Sequence, residues 1–545
     1  MRAILFSLLL ALLLVSGLLL SLPNSTLAQA QSTDLTFPGE ENWNTQIGSL
    51  NLTRTVHAVA FDQNYLYLGE GFGDGDKHIR RWDGTQWQSI AGNVDGAVSA
   101  LLAGQNGKLY AGGYFTRTGT CNPCKRVAQW DGSNWSALGN NLGDPSYEVL
   151  ALAQDSKKKI YAGGTFGVAT WNGSGWAVDY SITDTVYSLA IDQSDGVFAG
   201  GKGFFIDEDS GDPIPFPSLK VKEKEGENWV NIGKAFENSM QNGISALALY
   251  PSGVSTPTVG GDFENPIYRL ATWVNGWQSI GTPDSAVLAL AKDTCGGLYV
   301  GGSFRKINNQ TIRFLAYYDG ENWHSLGSAF TDDSYSSVED LAFYHGYLAV
   351  GGVFTQTLSG QNRRNIALWT GRDCATISAS GTYTFYNWRE PVIIKVGEKG
   401  NLAQIRVQRF NKDHPGIDQT TTPNLKNGVY WQIEGLDEND QPASGISYTL
   451  TLPAVVFIPD AKDKVCHYLG NKKWDCAASS YDPLKKTISR AGLTAFSEFT
   501  VGNDVGPTVV GLQSLQARQA EFPIQAFVLV FLSIVGLVYL RKTKP

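Results

Sequence analysis

One pattern, returning every roughly 47 residues, constrains this chain more than any other feature of it. Each copy reads as a short alternating strand, a turn and a strand ending Gly-Gly-x-Phe. A variable loop follows, then a strand ending Trp-Asp-Gly and a last strand carrying a tryptophan. The second copy is complete: Val98 to Gly104, then a strand closing at Phe115, a strand closing at Gly132, and Asn134-Trp135 with its followers. Gly112-Gly113, Gly163-Gly164, Gly200-Gly201, Gly260-Gly261, Gly301-Gly302 and Gly351-Gly352 mark six copies, and Gly69-Glu70-Gly71-Phe72 marks a degraded seventh.

Repeats of this length, each with four strand signals, predict the blades of a β-propeller. The last-strand tryptophans are Trp87, Trp135, Trp176, Trp229, Trp277 and Trp323, one fewer than the glycine pairs. The missing strand is found at the start: Gly39 to Gly48, with Asn42-Trp43, matches Gly320 to Gly327, with Asn322-Trp323. A single blade cannot bury both faces, and an open ring leaves sheet edges unpaired. The expected fold class is therefore all-β: a seven-bladed β-propeller over 39–375, closed by an N-terminal strand. The repeat resembles those of the Kelch-like and Rax2-like surface propellers. That resemblance implies the fold but no single activity, since propellers host adhesion, scaffolding and several enzyme chemistries.

From about Gly381 the repeat stops. Short strand signals such as PVIIKV and GISYTLTLP alternate with turn residues, and Ile446, Tyr448, Leu450 and Leu452 alternate with polar neighbours. A β-sandwich is expected over 380–502. It resembles the C-terminal sandwich modules that precede anchors in bacterial surface proteins, which implies a spacer or presentation role. Both ends of the chain bear on its compartment. Arg2, an apolar run to Leu22 and Ala28-Gln29-Ala30 are expected to form a signal peptide over 1–30. A linker over 503–521 precedes an apolar stretch, 522–540, of a length to cross a bilayer once, and a basic tail, 541–545. No LPxTG-like motif precedes it. The expected location is the cell surface, with the ectodomain outside and the membrane reached through the C-terminal helix.

Six cysteines in an exported chain predict disulfides. Cys466 and Cys476 bracket a hairpin-like segment, Cys121 and Cys124 close a small ring, and Cys295 and Cys374 are left to pair if their blades bring them together. A formal charge of −8 removes the electrostatic basis for nucleic-acid binding.

Chemistry is sparse. With six histidines and no HExxH, nucleophile elbow, phosphate loop or dinucleotide fingerprint, no catalytic set, metal site or cofactor is expected. Two constellations remain. The innermost strands align so that His57, Glu339 and Asp340 meet at one channel mouth, either as a site or as an ion pair closing the ring. Lys77, Lys125, Arg126, Arg269, Arg313, Arg363 and Arg364 stand at or just before third strands and are expected on one rim. They would hold an anionic glycan or an acidic protein surface, or merely pair with local acids and cover aromatic rings. Phe204 to Asn228 is expected as a long rim loop. The expected function is binding or display at the cell surface, with a protein or glycan as partner. The alternatives are an extracellular hydrolase or lyase working at the channel mouth, and a structural envelope component.

Overall fold

The computed structural model describes residues 37–503, except 46, 48–51, 53, 72–76, 140, 141, 143–145, 183, 184, 207–212, 223–228, 233–242, 251–255, 265, 266, 327–329, 331–334, 359, 360, 418–423, 456, 478 and 479. The expected signal peptide, the linker after Asn503, the apolar stretch 522–540 and the basic tail lie outside the described residues. Among the described residues no helix is long and apolar enough to cross a membrane.

The repeat region is a β-propeller-like succession of antiparallel sheets. Among the described residues there are six four-stranded sheets and one three-stranded sheet, each a simple meander in chain order. Their first strands are Val56–Phe61, Val98–Ala103, Val149–Gln154, Thr185–Ile191, Ile244–Leu249, Val287–Lys292 and Ser337–Tyr344. The second sheet continues with Leu109–Gly113, Val127–Trp130 and Trp135–Ala137.

The paired glycines do two different jobs. The first of each pair faces the next sheet. A Cβ on Gly112 would stand 2.5 Å from Val149 Cγ1, one on Gly163 2.6 Å from Val186 Cγ1, and one on Gly301 2.5 Å from Val338 Cγ1. Gly69 faces Val98 in the same way, and Gly351 faces Val56 at 2.7 Å. The missing side chain is thus the socket for a β-branched residue that opens the following sheet. The second glycine faces its own first strand: a Cβ on Gly113 would meet the Ala97 carbonyl oxygen at 2.1 Å, and one on Gly302 that of Ala286 at 2.2 Å. At that height each first strand skips one residue out of register, between Val98 and Ala100 or Val287 and Ala289 for example. The β-bulge this makes is a local kink that re-aims one side chain.

The last-strand tryptophans tie neighbouring sheets together at the outer edge. Indole N–H groups of Trp135, Trp176 and Trp323 donate to the carbonyls of Ile90, Leu138 and Ile280 at 2.9–3.0 Å. Trp43 joins this series: its indole donates to Leu326 O at 2.7 Å, its backbone bridges Trp369, and the Asn44 N–H donates to Leu368 O at 2.8 Å. Trp87 in turn donates to Ile47 O at 2.9 Å.

In the segment expected as a rim loop, Phe204 to Asn228, the described residues, 204–206 and 213–222, are strand. Val197–Ile206 and Pro213–Lys222 pair from Ile206↔Pro213 to Val197↔Lys222, extending the second and third strands of the fourth sheet into one long ladder. The prolines at 213, 215 and 217 hid this, because proline lacks the N–H that a ladder uses and reads as loop.

Two further sheets share one apolar core. The six-stranded sheet runs Arg372–Thr376, Gln404–Phe410, Asn424–Leu436, Glu498–Asn503, Asp463–Tyr468 and Trp474–Asp475. The five-stranded sheet runs Gly381–Phe385, Val392–Glu398, Ser447–Pro453, Thr487–Leu493 and Ser480–Asp482. Ile405, Val407, Trp431 and Ile433 of the first meet Ile394, Leu450, Leu452 and Ile488 of the second, all buried. Arg372–Thr376, inside the stretch read from sequence as propeller, pairs with Gln404–Phe410 and so belongs to this second region.

That region is welded to the repeat region. Tyr386, buried completely, shares its one hydroxyl proton between Gly371 O (2.7 Å) and Val407 O (3.0 Å) and accepts the Arg409 N–H. The Asn42 amide donates to both Thr370 O and Arg409 O at 2.7 Å. Arg389 reaches Asn64 O at 2.9 Å, and Trp388 packs edge-on against Phe61 and Tyr347. The disulfide Cys295–Cys374 joins a turn of the sixth sheet to Arg372–Thr376. The other two disulfides, Cys121–Cys124 and Cys466–Cys476, are also formed.

Candidate ligand-binding face

In a four-stranded meander, the turns between strands one and two and between three and four lie at one end. The connections between two and three, and from four to the next sheet, lie at the other. The second region takes the first of these ends: Asn64, Cys295 and Gly346 are on one-to-two turns, and Gly84, beside Arg389, is on a three-to-four turn. Among the described residues the second region does not reach the opposite end (the open end), and the bulges sit there.

The bulged residues, one per sheet, are His57, Ser99, Leu150, Tyr187, Ser245, Leu288 and Glu339. All seven are half-buried, while the residues on either side of most of them are fully buried. The kink therefore points one side chain per sheet toward the centre of the open end. Glu148, just before the third first-strand, accepts the Ser99 hydroxyl at 3.2 Å. Glu339 accepts the Ser337 hydroxyl at 2.5 Å. Burial lowers the His57 pKa, and the carboxylates of Glu339 and Glu148 only partly offset it, so the imidazole is largely neutral at pH 7. Burial, with Glu148 beside it, raises the Tyr187 phenol. His57 also packs flat against backbone: a Cβ on Gly71 would overlap its ring at 1.6 Å.

Of the three mouth residues picked from sequence, His57 and Glu339 come together and Asp340 does not join them. Next to a bulged residue the side chain turns the other way, and Asp340 Oδ2 accepts the Val59 N–H at 2.7 Å while Oδ1 accepts that of Leu341 at 2.8 Å. It ties the seventh sheet to the first. Burial, partly offset by those two N–H donors, pushes its pKa up to about 7. Glu148, Ser99 and Tyr187 were missed as a group, because the contacts that join them cross sheets dozens of residues apart.

The cationic residues expected on one rim divide. Arg126 is buried, its guanidinium 4.1 Å over the Tyr114 ring. Arg269 is held by Asp262 (3.3 Å) and Glu264 (3.0 Å). Both stand in left-handed backbone, φ 78° and 56°, where their carbonyls accept the N–H of the second glycine, Gly113 or Gly261, at 3.1 and 3.0 Å. Lys125 and Arg313 are exposed on the same two-to-three connections, and Arg364 is exposed within the third strand of the seventh sheet, Gln361–Thr370, opposite Thr355. The side chains of Lys77 and Arg363 lie outside the described residues. Sequence reading passed over another set on this end: Tyr114, Tyr180, Tyr268 and Tyr335 are 47, 79, 52 and 87% exposed, each on a connection of the open end.

Among the described residues no three His, Cys, Asp or Glu side chains are grouped to hold a metal ion. His324 pairs with Asp319 at 2.6 Å and His345 stands 3.6 Å from Asp373, both away from the bulges. A cavity of about 300 Å³ at the seam with the second region is lined by Trp82, Trp388 and Tyr347, and its charges are largely spoken for, Arg409 pairing with Glu390 and Glu41 with Lys412 outside the lining.

No protein-family profile matches this chain. No curated protein matches it either. Among solved structures it is similar to the computationally designed Ika8 protein, at 16% identity and TM-score 0.34 over 58% of this chain and 97% of that one. It is also similar to the WD40 β-propeller domain of Doa1, at 13% identity and TM-score 0.35 over 61% and 96% of the two chains. A third likeness is to the extracellular domain of the putative hybrid two-component system BT4673 from B. thetaiotaomicron, at 11% identity and TM-score 0.38 over 74% and 57%. None of the three passes a residue role to this chain.

Proposed function

We propose that this chain is a membrane-anchored surface protein whose seven-bladed, Kelch-like propeller binds a protein or glycan ligand through its open end. The first and last sheets would close the ring, with the N-terminal segment around Trp43 as outer strand of the seventh. That closure is supported by the Gly351 socket for Val56, the Asp340 bond to Val59 and the indole bonds of Trp43 and Trp87. The signal peptide, linker and apolar C-terminal stretch supply the route to the surface and the anchor.

The observation that carries the binding reading is the set of four exposed tyrosines on connections of one end. Tyrosine joins a large apolar ring to a hydroxyl at small entropic cost, and it is enriched in recognition surfaces and depleted as idle decoration. Exposed Lys125, Arg313 and Arg364 add positive charge to the same end. The test is binding of the full chain to arrayed glycans and surface-protein fragments at low and high salt, with Tyr114→Ala/Tyr268→Ala beside it. Saturable binding lost in the double variant fits; binding untouched by it, or none at all, sinks the reading.

A second reading has one observation in its favour. A neutral imidazole that feels two carboxylates at the mouth, His57 with Glu339 and Glu148, is able to accept a proton from a bound substrate. Turnover of an arrayed ligand that His57→Ala abolishes would favour a hydrolase or lyase.

A further inference from the structure

A cleft of about 620 Å³ opens between the second and third sheets, at the end of the propeller that also carries the second region but away from it. Its volume lies within the range of small-ligand clefts, about 300–1,000 Å³. Four lysines line it: Lys108 on one side and Lys157, Lys158 and Lys159 on the other. The last three are exposed, and among the described residues no ion pair engages any of the four within 4.0 Å. Asp131 is the acid that feels Lys108.

The backbone turn that carries three of these lysines is held in place. Asp155, 3% exposed, accepts the N–H groups of Lys157 (3.0 Å) and Lys159 (2.8 Å) on one carboxylate oxygen. The Lys158 N–H closes the turn on Asp155 O at 3.0 Å, with Lys158 itself at φ 67°. From the fourth sheet, Asp195 grips both the N–H and the hydroxyl of Ser156 at 2.9 Å. The Gln105 N–H, donated to Gln154 at 2.7 Å, fixes the opposite turn to the same strand. Two turns from neighbouring sheets are therefore locked at a set separation with lysines of both lining one space, the Lys159 ammonium lying 5.2 Å over the Tyr161 ring. Gathering like charges this way opposes folding, in a chain of net charge −8 that has acids to spare.

The rest of the lining is not what a bare phosphate needs. Trp171 lies half-buried in the cleft, its ring seated where Gly139 has no side chain, 2.2 Å from the Cβ that any other residue would place there. The amides of Asn106, Gln129 and Asn172 stand around it. Asn106 is oriented by its bond to the Tyr110 hydroxyl (2.7 Å), and Gln129 by the Lys108 ammonium (3.1 Å). An indole, side-chain amides and several lysines in one cleft suit a pyranose bearing carboxylate or sulfate: its C–H face on the indole, its hydroxyls to the amides, its anions to the lysines.

We infer that this cleft is a binding site for an acidic saccharide, separate from the open end and independent of whatever binds there. The test titrates the full chain with an oligogalacturonate and with a heparin-derived sulfated oligosaccharide, following tryptophan fluorescence. A neutral dextran oligosaccharide, inorganic sulfate and a single-stranded oligonucleotide run beside them. At least one of the acidic sugars is expected to bind saturably and more weakly as salt rises. The variant Lys157→Gln/Lys158→Gln/Lys159→Gln, all exposed and with their backbone bonds intact, should lose about tenfold or more in affinity. Trp171→Phe should remove most of the fluorescence signal. Tyr114→Ala/Tyr268→Ala should leave this binding unchanged, which separates failure here from failure at the open end. No binding of either acidic sugar, equal affinity in the triple-lysine variant, or equal affinity for sulfate, dextran or the oligonucleotide overturns the proposal.

Discussion

Gly351→Ala probes the junction of the last sheet with the first, and its cost follows from three distances. The added methyl would stand 2.7 Å from Val56 Cγ1, 3.1 Å from Val59 Cγ1 and 3.2 Å from Val56 O. Carbon atoms in contact settle at about 3.5–4.0 Å, so the first approach is roughly an ångström too close. Val56 is 0% exposed and β-branched, with no free rotamer into which to retreat. Overpacking of this kind costs about 1–3 kcal/mol. Val56→Ala alone leaves a cavity and costs about 2 kcal/mol. In the double variant the new methyl occupies part of the space that the valine left, so the two costs should fall short of their sum by about 1 kcal/mol or more. The assay is equilibrium urea unfolding of the four proteins by tryptophan fluorescence, compared at a common m-value. Gly175→Ala is the control, since nothing lies within 4 Å of its added Cβ. Additivity within about 0.5 kcal/mol would mean that Gly351 and Val56 do not touch, and the sockets would lose their claim to join sheets.

Two more outcomes follow from the same structure. Asp340 has its pKa pushed up to about 7 from an ordinary 3.8, so the folded state holds its proton more tightly than the unfolded one. Stability from this group is full below about pH 4 and is lost as pH rises toward 7, a fall of up to about 4 kcal/mol. Asp340→Asn, whose carbonyl can still accept the Val59 N–H, should flatten the urea midpoint between pH 4 and 7; an unchanged slope refutes the assignment. The Cys295–Cys374 bridge closes a loop with a sequence separation of 79 and ties the sixth sheet to the second region. Cys295→Ser/Cys374→Ser should cost roughly 4 kcal/mol by loop entropy, read as a lower urea midpoint, and a loss under about 1 kcal/mol would show the seam holding without it.

The repeat could be read from the chain because the demands on it are local and recur. Each sheet has a glycine where the next sheet's valine or isoleucine enters, and all but the first, which has Glu70 there, have a second where their own first strand kinks; outer tryptophans such as Trp135, Trp176 and Trp323 reach the neighbouring sheet. Those needs write themselves into the sequence at a fixed spacing, as does the alternation of Tyr448, Leu450 and Leu452 on the inner face of a strand. The matching of Asn42-Trp43 to Asn322-Trp323 was legible for the same reason, and Trp43 pairs with Trp369 accordingly.

What the chain settled by itself, then, was the all-β class, the repeated sheets and the cysteines available to bridge them. Only the tertiary structure decided where side chains point and which end stays open. Glu339 and Asp340 are adjacent in sequence, yet a bulge sends one to the mouth and the other to the Val59 N–H. Arg126 and Arg269 look like free rim charges until folding lays one over Tyr114 and the other between two acids. The lysine cleft joins turns some fifty residues apart, and the open end is defined by where Tyr386, Trp388 and Cys374 dock. Periodicity records the contacts that recur in every sheet; contacts made once, between particular side chains of different sheets, leave no repeating pattern to read.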